Sequence, residues 1–336
     1  MQHCWQPFGC ISSPRRGERN FTRGRVFGMK KLSVVIPVYY NEGSLPGLFA
    51  ELMRVEDKLR RSRGIELELI FVDDGSGDDS FAELMKIKKR RPDTRIVKLA
   101  RNFGAIHAVK TGLQYVTGDC FTMLAADLQD PPELLLDMAD KWLAGSKFVI
   151  CVRESRQDPF LSKVFARMYY SLLRLAVTKD YPSGGFDLAL MDKLMLPYLQ
   201  QSGKNINISL FAYWLGFEPE VIYYRRQERV HGKSRWTFSK KFTYLLDSIL
   251  GFSVVPIRMI SLTGFVVALL SFIYGIVLVI NASVNHVIVP GFTTIATLVA
   301  FLLGLIIIML GIIGEYLWRI FDEVNQRPEY VIHEVY

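Results

Sequence analysis

Residues 32–47 read LSVVIPVYYNEGSLPG. A mainly β-branched apolar run stops at Asn41, Glu42 and Gly43, and an amphipathic stretch opens at Leu45. Such a run is a strand buried on both faces, as in sheets covered by helices. The pattern then repeats. A helix is expected over 45–63, ending near Gly64, then a strand LELIFVDD (67–74) and a helix over 78–91. TRIVKLA (94–100), DCFTMLAAD (119–127) and KFVICVR (147–153) read as further strands, separated by helices over 105–116 and 131–145. Short strands alternating with helices predict an α/β domain with a mostly parallel sheet, whose ligands bind at the carboxyl ends of the strands.

The polar residues gather at those ends: Pro37, Tyr39, Asn41 and Glu42; then Asp73, Asp74, Gly75 and Ser76; then Arg101, Asn102 and Gly104; then Asp127, Gln129 and Asp130; then Arg153. NEGSLPG (41–47) stands where a dinucleotide-binding fold needs GxGxxG, which argues against a nicotinamide enzyme. VDDGSGDDS (72–80) by itself reads equally well as a turn followed by a helix cap. Pro131 and Pro132 suit the first turn of a helix, with Asp130 as its N-cap and Glu133 complementing its dipole. Asp127 and Gln129 are read differently, as the end of a strand carrying hard oxygen ligands for Mg²⁺ or Mn²⁺.

The last quarter is of another kind. Residues 259–280 and 287–314 contain no Lys, Arg, Asp or Glu. Helices of that length and composition can cross a bilayer. The link NASVNHVIVPG (281–291) lacks Lys and Arg while both outer flanks carry them, which orients the remainder of the chain to the cytoplasm. Its NAS sequon is read as idle. Gly264, Gly275, Gly304, Gly311 and Gly314 would allow close helix contacts and self-association. The chain carries a formal charge of +8, and RRQERVHGKSRWTFSKK (225–241) holds seven Lys or Arg against one Glu. A basic block abutting lipid, with Trp236 and Phe238 at headgroup depth, suggests the anionic cytoplasmic face of a membrane or an anionic ligand there, rather than nucleic acid. Cys4, Cys10, Cys120 and Cys151 have no metal-type spacing. Residues 1–28 lack periodicity and an apolar core, so they read as a disordered extension and not as a signal peptide.

VVIPVYYNE, FVDDGS, RNFG and ADLQDPPE, in that order, closely resemble the catalytic domain of glycosyltransferase family 2 over roughly residues 32–240. GFDLALMD (185–192), ERVHGKSRW (228–236) and the paired apolar runs are similar to the polyprenyl-phosphate glycosyltransferases, which include bactoprenol glucosyltransferases and dolichol-phosphate mannose synthase. The resemblance implies a GT-A, Rossmann-like nucleotide-sugar domain over 29–236. An amphipathic interfacial segment would follow at 237–257, then spans at 258–280 and 291–317 joined by a loop at 281–290, and a cytoplasmic tail at 318–336. It implies an inverting, metal-dependent hexose transfer, with glucose from UDP-glucose as the preferred donor and a polyprenyl phosphate as acceptor. Carried over by motif, Pro37, Tyr39, Glu42 and Asp74 would hold the nucleoside, with Asp73 supporting that loop. Asn102, Gly104 and Ala126 would also contact substrate. Asp127 and Gln129 would bind Mg²⁺ or Mn²⁺ across the diphosphate. Asp187 would be the acid near sugar and acceptor, and Arg153, Arg229, Lys233 and Arg235 would surround the phosphates. Lys163 and Arg167 are weaker basic candidates, and His107 and His231 are weak candidates for a base.

The family often reads Asp-Ala-Asp-Leu-Gln where this chain has Ala125-Ala126-Asp127-Leu128-Gln129. With one carboxylate fewer, metal binding without the donor is expected to be weak. A processive polysaccharide synthase would need more spans and a QxxRW motif, which the sequence lacks. A non-catalytic scaffold retaining the fold would show no metal-dependent turnover of a nucleotide sugar.

Overall fold

In the computed structural model, residues 29–154, 170–171, 173–174, 181–182, 184–204, 206–226, 248, 251–253, 255–285 and 291–336 are described. Their strands are β1 (Lys30–Val38), β2 (Ile65–Asp73), β3 (Arg95–Leu99), β4 (Cys120–Met123), β5 (Phe148–Arg153), β6 (Leu188–Asp192), β7 (Pro219–Tyr224) and β8 (Ile332–Val335). They form one sheet in the order β7-β5-β6-β4-β1-β2-β3-β8.

The period of two along β1 places Leu32, Val34, Ile36 and Val38 in one apolar layer and Val35 in the other. The first layer packs against α1 (Leu45–Arg63) and α4 (Leu134–Leu143). The second packs against α3 (Ala105–Leu113), α5 (Leu196–Gln200) and α6 (Ile208–Trp214). Helix α2 (Ser80–Arg90) lies on the first layer through Leu84 and Ile87. Helix α1 presents Leu45, Leu48, Phe49, Leu52, Val55 and Leu59 to the core, the three-and-four spacing of one helix face. It has proline in its first turn and stops at Gly64, whose φ of 63° lets its N–H reach the carbonyls of Arg60 and Leu59. Helix α3 rides close on the sheet because residue 112 is glycine, where a Cβ would collide with Val35.

The sheet is mixed, with four parallel pairings and three antiparallel ones among the described residues. Strand β6 enters antiparallel between β4 and β5, and β8 is antiparallel to β3. A chain crossing back through the sheet satisfies the inner edges of both β4 and β5, a long-range solution that local periodicity does not reveal. Strand β4 ends at Met123, so Asp127 lies in a loop beyond the strand instead of closing it. Helix α4 begins at Leu134 after a turn over 131–133, and no side chain caps it. Asp130 is therefore not its N-cap.

Two long helices follow, α7 (Val255–Asn285) and α8 (Phe292–Val324). Among the described residues, Phe301–Val324 is long and apolar enough to cross a membrane and is not buried against the protein, and Ile257–Val267 is a shorter apolar stretch. Beyond α8 the chain does not trail away as a tail. It returns to the sheet: Tyr336 and Ile96 exchange backbone hydrogen bonds of 2.8 and 3.1 Å, and Ala100 donates to Val331 at 2.9 Å.

Candidate active site

The loops after β1, β2 and β3 are bound to one another by their own polar groups. Tyr40, with φ of 57°, turns the chain after β1, and its N–H donates to Ser76 Oγ at 3.2 Å. Glu42 accepts the N–H of Asp79 at 2.9 Å, fastening this loop to the start of α2. Ser44 Oγ donates to the carbonyl of Ala126 at 2.6 Å, which ties the foot of α1 to the loop carrying Asp127. Pro37 and Tyr39 are partly exposed beside them, and Tyr39 packs edge-on against Tyr40.

Asp73 and Asp74 are buried at the end of β2. Asp74 accepts the N–H of Phe103 at 2.7 Å and of Gly104 at 2.9 Å, one on each oxygen. Its first structural task is to hold the RNFG loop. Burial pushes its carboxyl above the usual range, and the two N–H bonds only partly offset this. Asp73 is likewise raised by burial against the pull of Ser76, and its Oδ2 has no hydrogen-bond partner among the described residues. Gly75 follows with φ of 67°, and a Cβ there would lie 2.6 Å from the Arg101 backbone. Only glycine lets the two loops approach so closely. Asn102 is exposed at the rim.

The loop after β4 makes its own tight turn. Leu128 has φ of 58°, and Gln129 N–H donates to Asp127 Oδ1 at 3.2 Å. Asp127 and Gln129 are half-buried, while the neighbouring Asp130 is buried. Among the described residues no group of three or more His, Cys, Asp or Glu could hold a metal by itself. One carboxylate and one amide are hard oxygen donors suited to a cation that takes the rest of its shell from phosphate and water.

Opposite, β5 and β7 run parallel with Arg153 in register with Tyr224. Arg153 Nε and Nη2 both donate to Asp187, the second bond at 2.7 Å. Asp187 sits just before β6, its N–H on the Cys151 carbonyl at 3.3 Å. Tyr224 Oη donates to Asp130 Oδ1 at 2.5 Å and lies 3.3 Å from Asp187 Oδ2. Arg226 Nε is 3.2 Å from Asp130 Oδ1. Burial raises the Asp130 carboxyl, against the pull of Arg226 and Tyr224, and burial together with both carboxylates drives the Tyr224 hydroxyl upward, so it stays a donor.

Arg153 ends β5 as the sequence indicates, while Asp127 and Gln129 lie in the loop beyond β4 and Asp187 just before β6. The sequence reads Asp130 as a helix cap and does not single out Tyr224 or Arg226. A tyrosine closing a strand just ahead of the basic block was the available signal. His107 faces the C-terminal segment, with Nδ1 3.7 Å from Glu329 Oε2. Lys163, Arg167, Arg229, His231, Lys233, Arg235, Trp236 and Phe238 lie outside the described residues.

Residues 33–198 match the family described as Glycosyl transferase family 2. An uncharacterised glycosyltransferase of Synechocystis sp. is 35% identical over 310 residues, covering 91% of this chain and 96% of that protein. The chain belongs to glycosyltransferase family 2. Its mixed α/β sheet is the GT-A fold, and the protein is an enzyme that transfers a sugar. This glycosyltransferase is also similar to the SfII prophage-derived bactoprenol glucosyl transferase of Shigella flexneri, at 31% identity over 90% of this chain and 97% of that one. Among solved structures, the glucosyl-3-phosphoglycerate synthase of Mycobacterium tuberculosis in complex with Mn²⁺ and UDP-glucose is similar over 66% of this chain and 79% of its own, with 17% identity and a TM-score of 0.46.

Proposed function

We propose that this glycosyltransferase moves a single hexose, glucose from UDP-glucose, onto a polyprenyl phosphate at the cytoplasmic face of a membrane, with inversion at the sugar carbon. The observation that carries this reading is the Tyr224 contact with both Asp130 and Asp187. It puts the Asp127–Gln129 loop, suited to a diphosphate-bound cation, within one side chain of the Arg153–Asp187 pair. The bactoprenol glucosyl transferases among its relatives support the acceptor class.

Asp127 and Gln129 would hold Mg²⁺ or Mn²⁺ together with the donor diphosphate. The cation, when bound, would neutralise charge developing on the departing diphosphate. Tyr39, Pro37 and Glu42 would flank the nucleoside, above a floor made by Asp73 and Asp74. Asn102, Gly104 and Ala126 would complete the donor side, and Arg229, Lys233 and Arg235 would meet the acceptor phosphate. A phosphate monoester is already ionised near neutral pH and serves as its own nucleophile. Asp187, fixed at two points by Arg153, then has the task of orienting that phosphate and the sugar, with little proton to remove. Helices α7 and α8 would span the bilayer and anchor the catalytic domain beside its lipid substrate, as a self-associating membrane protein.

Incubating the purified protein with undecaprenyl phosphate and a panel of radiolabelled nucleotide sugars tests this directly. Labelled lipid is expected from UDP-glucose in the presence of Mg²⁺ or Mn²⁺. Labelling from another donor alone would overturn the sugar assignment, and label in a growing polymer would overturn single transfer.

A further inference from the structure

Asp130 has two partners, Tyr224 and Arg226, and both come from the end of β7. This is an unusual place for a carboxylate next to two prolines, where a helix cap would be the ordinary outcome. Instead Asp130 turns inward and is buried, and a buried carboxylate is stable only when compensated. Its position in the chain gives the contact its meaning. Asp130 directly follows Gln129, in a turn already committed to a left-handed residue at Leu128. Arg226 is the second residue of the basic block that contains Arg229, Lys233 and Arg235. Tyr224 has a single hydroxyl proton and two carboxylates within reach, 2.5 Å to Asp130 and 3.3 Å to Asp187.

We infer that Asp130, Tyr224 and Arg226 form a latch that fixes the cation-binding turn against the acceptor acid and the root of the basic segment, with Tyr224 as a positioning residue for transfer. The inference rests on the function proposed above for Asp127, Gln129 and Asp187. The hydroxyl holds Asp130 while keeping contact with Asp187, so the spacing between donor and acceptor sides depends on one side chain. Arg226 sets its guanidinium beside the Asp130 carboxyl and ties it to the chain that follows β7. None of the three need touch the reacting atoms.

The test uses the full-length protein and Tyr224→Phe, which keeps the ring and removes only the hydroxyl. Two readings are taken, each against wild type. In amide exchange, residues 126–130 should exchange at least several-fold faster in the variant, while the thermal midpoint and exchange in β1 and β2 stay unchanged. In transfer assays, kcat should fall about tenfold, a loss of one tenfold step in transition-state stabilisation. The cation concentration for half-maximal rate should rise, with the donor KM nearly constant. Asp130→Asn, which can still accept from Tyr224 but no longer pairs with Arg226, should fall between wild type and Asp130→Ala in both readings. Wild-type exchange over 126–130 in Tyr224→Phe overturns the latch, and so does wild-type kcat with wild-type cation dependence. A general loss of thermal stability with normal kcat in the folded fraction also overturns it, since that is the mark of simple packing. If wild type transfers no sugar to polyprenyl phosphate yet the exchange difference appears, the functional proposal fails and the latch stands.

Discussion

Lys110 Nζ lies 2.5 Å from Glu329 Oε2, so a lysine almost fully buried in α3 is neutralised by an acid from the segment after α8. The carbonyls of Ser202 and Gly203 complete its shell at 2.8 and 3.2 Å. Removing one member of such a pair leaves the other desolvated and costs on the order of 3 kcal/mol when both are deeply buried. Glu329 is partly exposed, so about half of that is expected for Glu329→Gln and more for Lys110→Ala. Burial alone would raise the Glu329 carboxyl, but the Lys110 ammonium beside it, with His107 farther off, holds it below its ordinary value of 4.5. A depressed carboxylate contributes stability that is fully present above that value and is lost as pH falls through the folded one. Thermal midpoints measured from pH 6 to pH 3 should therefore converge for wild type and Glu329→Gln at the acid end. Parallel curves would show that the pair contributes nothing.

Ala125 leaves the turn after β4 with one carboxylate fewer than the family pattern. Calorimetry on the donor-free protein should detect only weak Mn²⁺ binding, and UDP or UDP-glucose should strengthen it. Ala125→Asp adds a hard oxygen ligand and should tighten donor-free binding by roughly tenfold or more. Tight Mn²⁺ binding by donor-free wild type would count against a cation held jointly with the diphosphate.

Asp127→Asn keeps the size of the side chain and removes its charge. Sugar transfer should drop by at least about a hundredfold, with the thermal midpoint close to wild type. A variant with normal turnover would remove Asp127 from the site.

Arg153→Lys preserves charge but cannot grip Asp187 at two points. A fall in kcat of roughly tenfold to a hundredfold is expected, with the donor KM little changed. If only the donor KM rises, Arg153 serves the diphosphate and not the orientation of Asp187.

Gly75→Ala would force a Cβ into the Arg101 backbone at a positive φ. The backbone strain alone costs about 1–3 kcal/mol. The RNFG loop, held by Asp74, should shift with it, raising the donor KM alongside the loss in thermal stability. An unchanged KM would mean that this loop is remote from the nucleoside.

The elements with strong local signals were legible in the sequence. Helix α1 runs from Leu45 to Arg63 and stops at Gly64, because its apolar face and its left-handed glycine are both local instructions. The strand ends carrying Asp73, Asp74 and Arg153 could be read the same way. What escaped depends on distant partners. Asp130 looks like a helix cap until Tyr224 is placed beside it. Strand β6 is antiparallel because it fills a gap between β4 and β5. Strand β8 has four residues, too few for propensity to announce it, and it exists because β3 offers an open ladder.

That last strand gives α8 a second moorage. The helix pair leaves the catalytic domain after β7 and is fastened to it again at β3, on the far side of the sheet. If the helices span a bilayer, a domain on one leash could roll over it, whereas one fastened at both edges of its sheet would have less freedom to tilt. On the membrane reading, the enzyme does not bend down to find its lipid. The site would then sit at one height above the bilayer, and the lipid phosphate would have to reach it there.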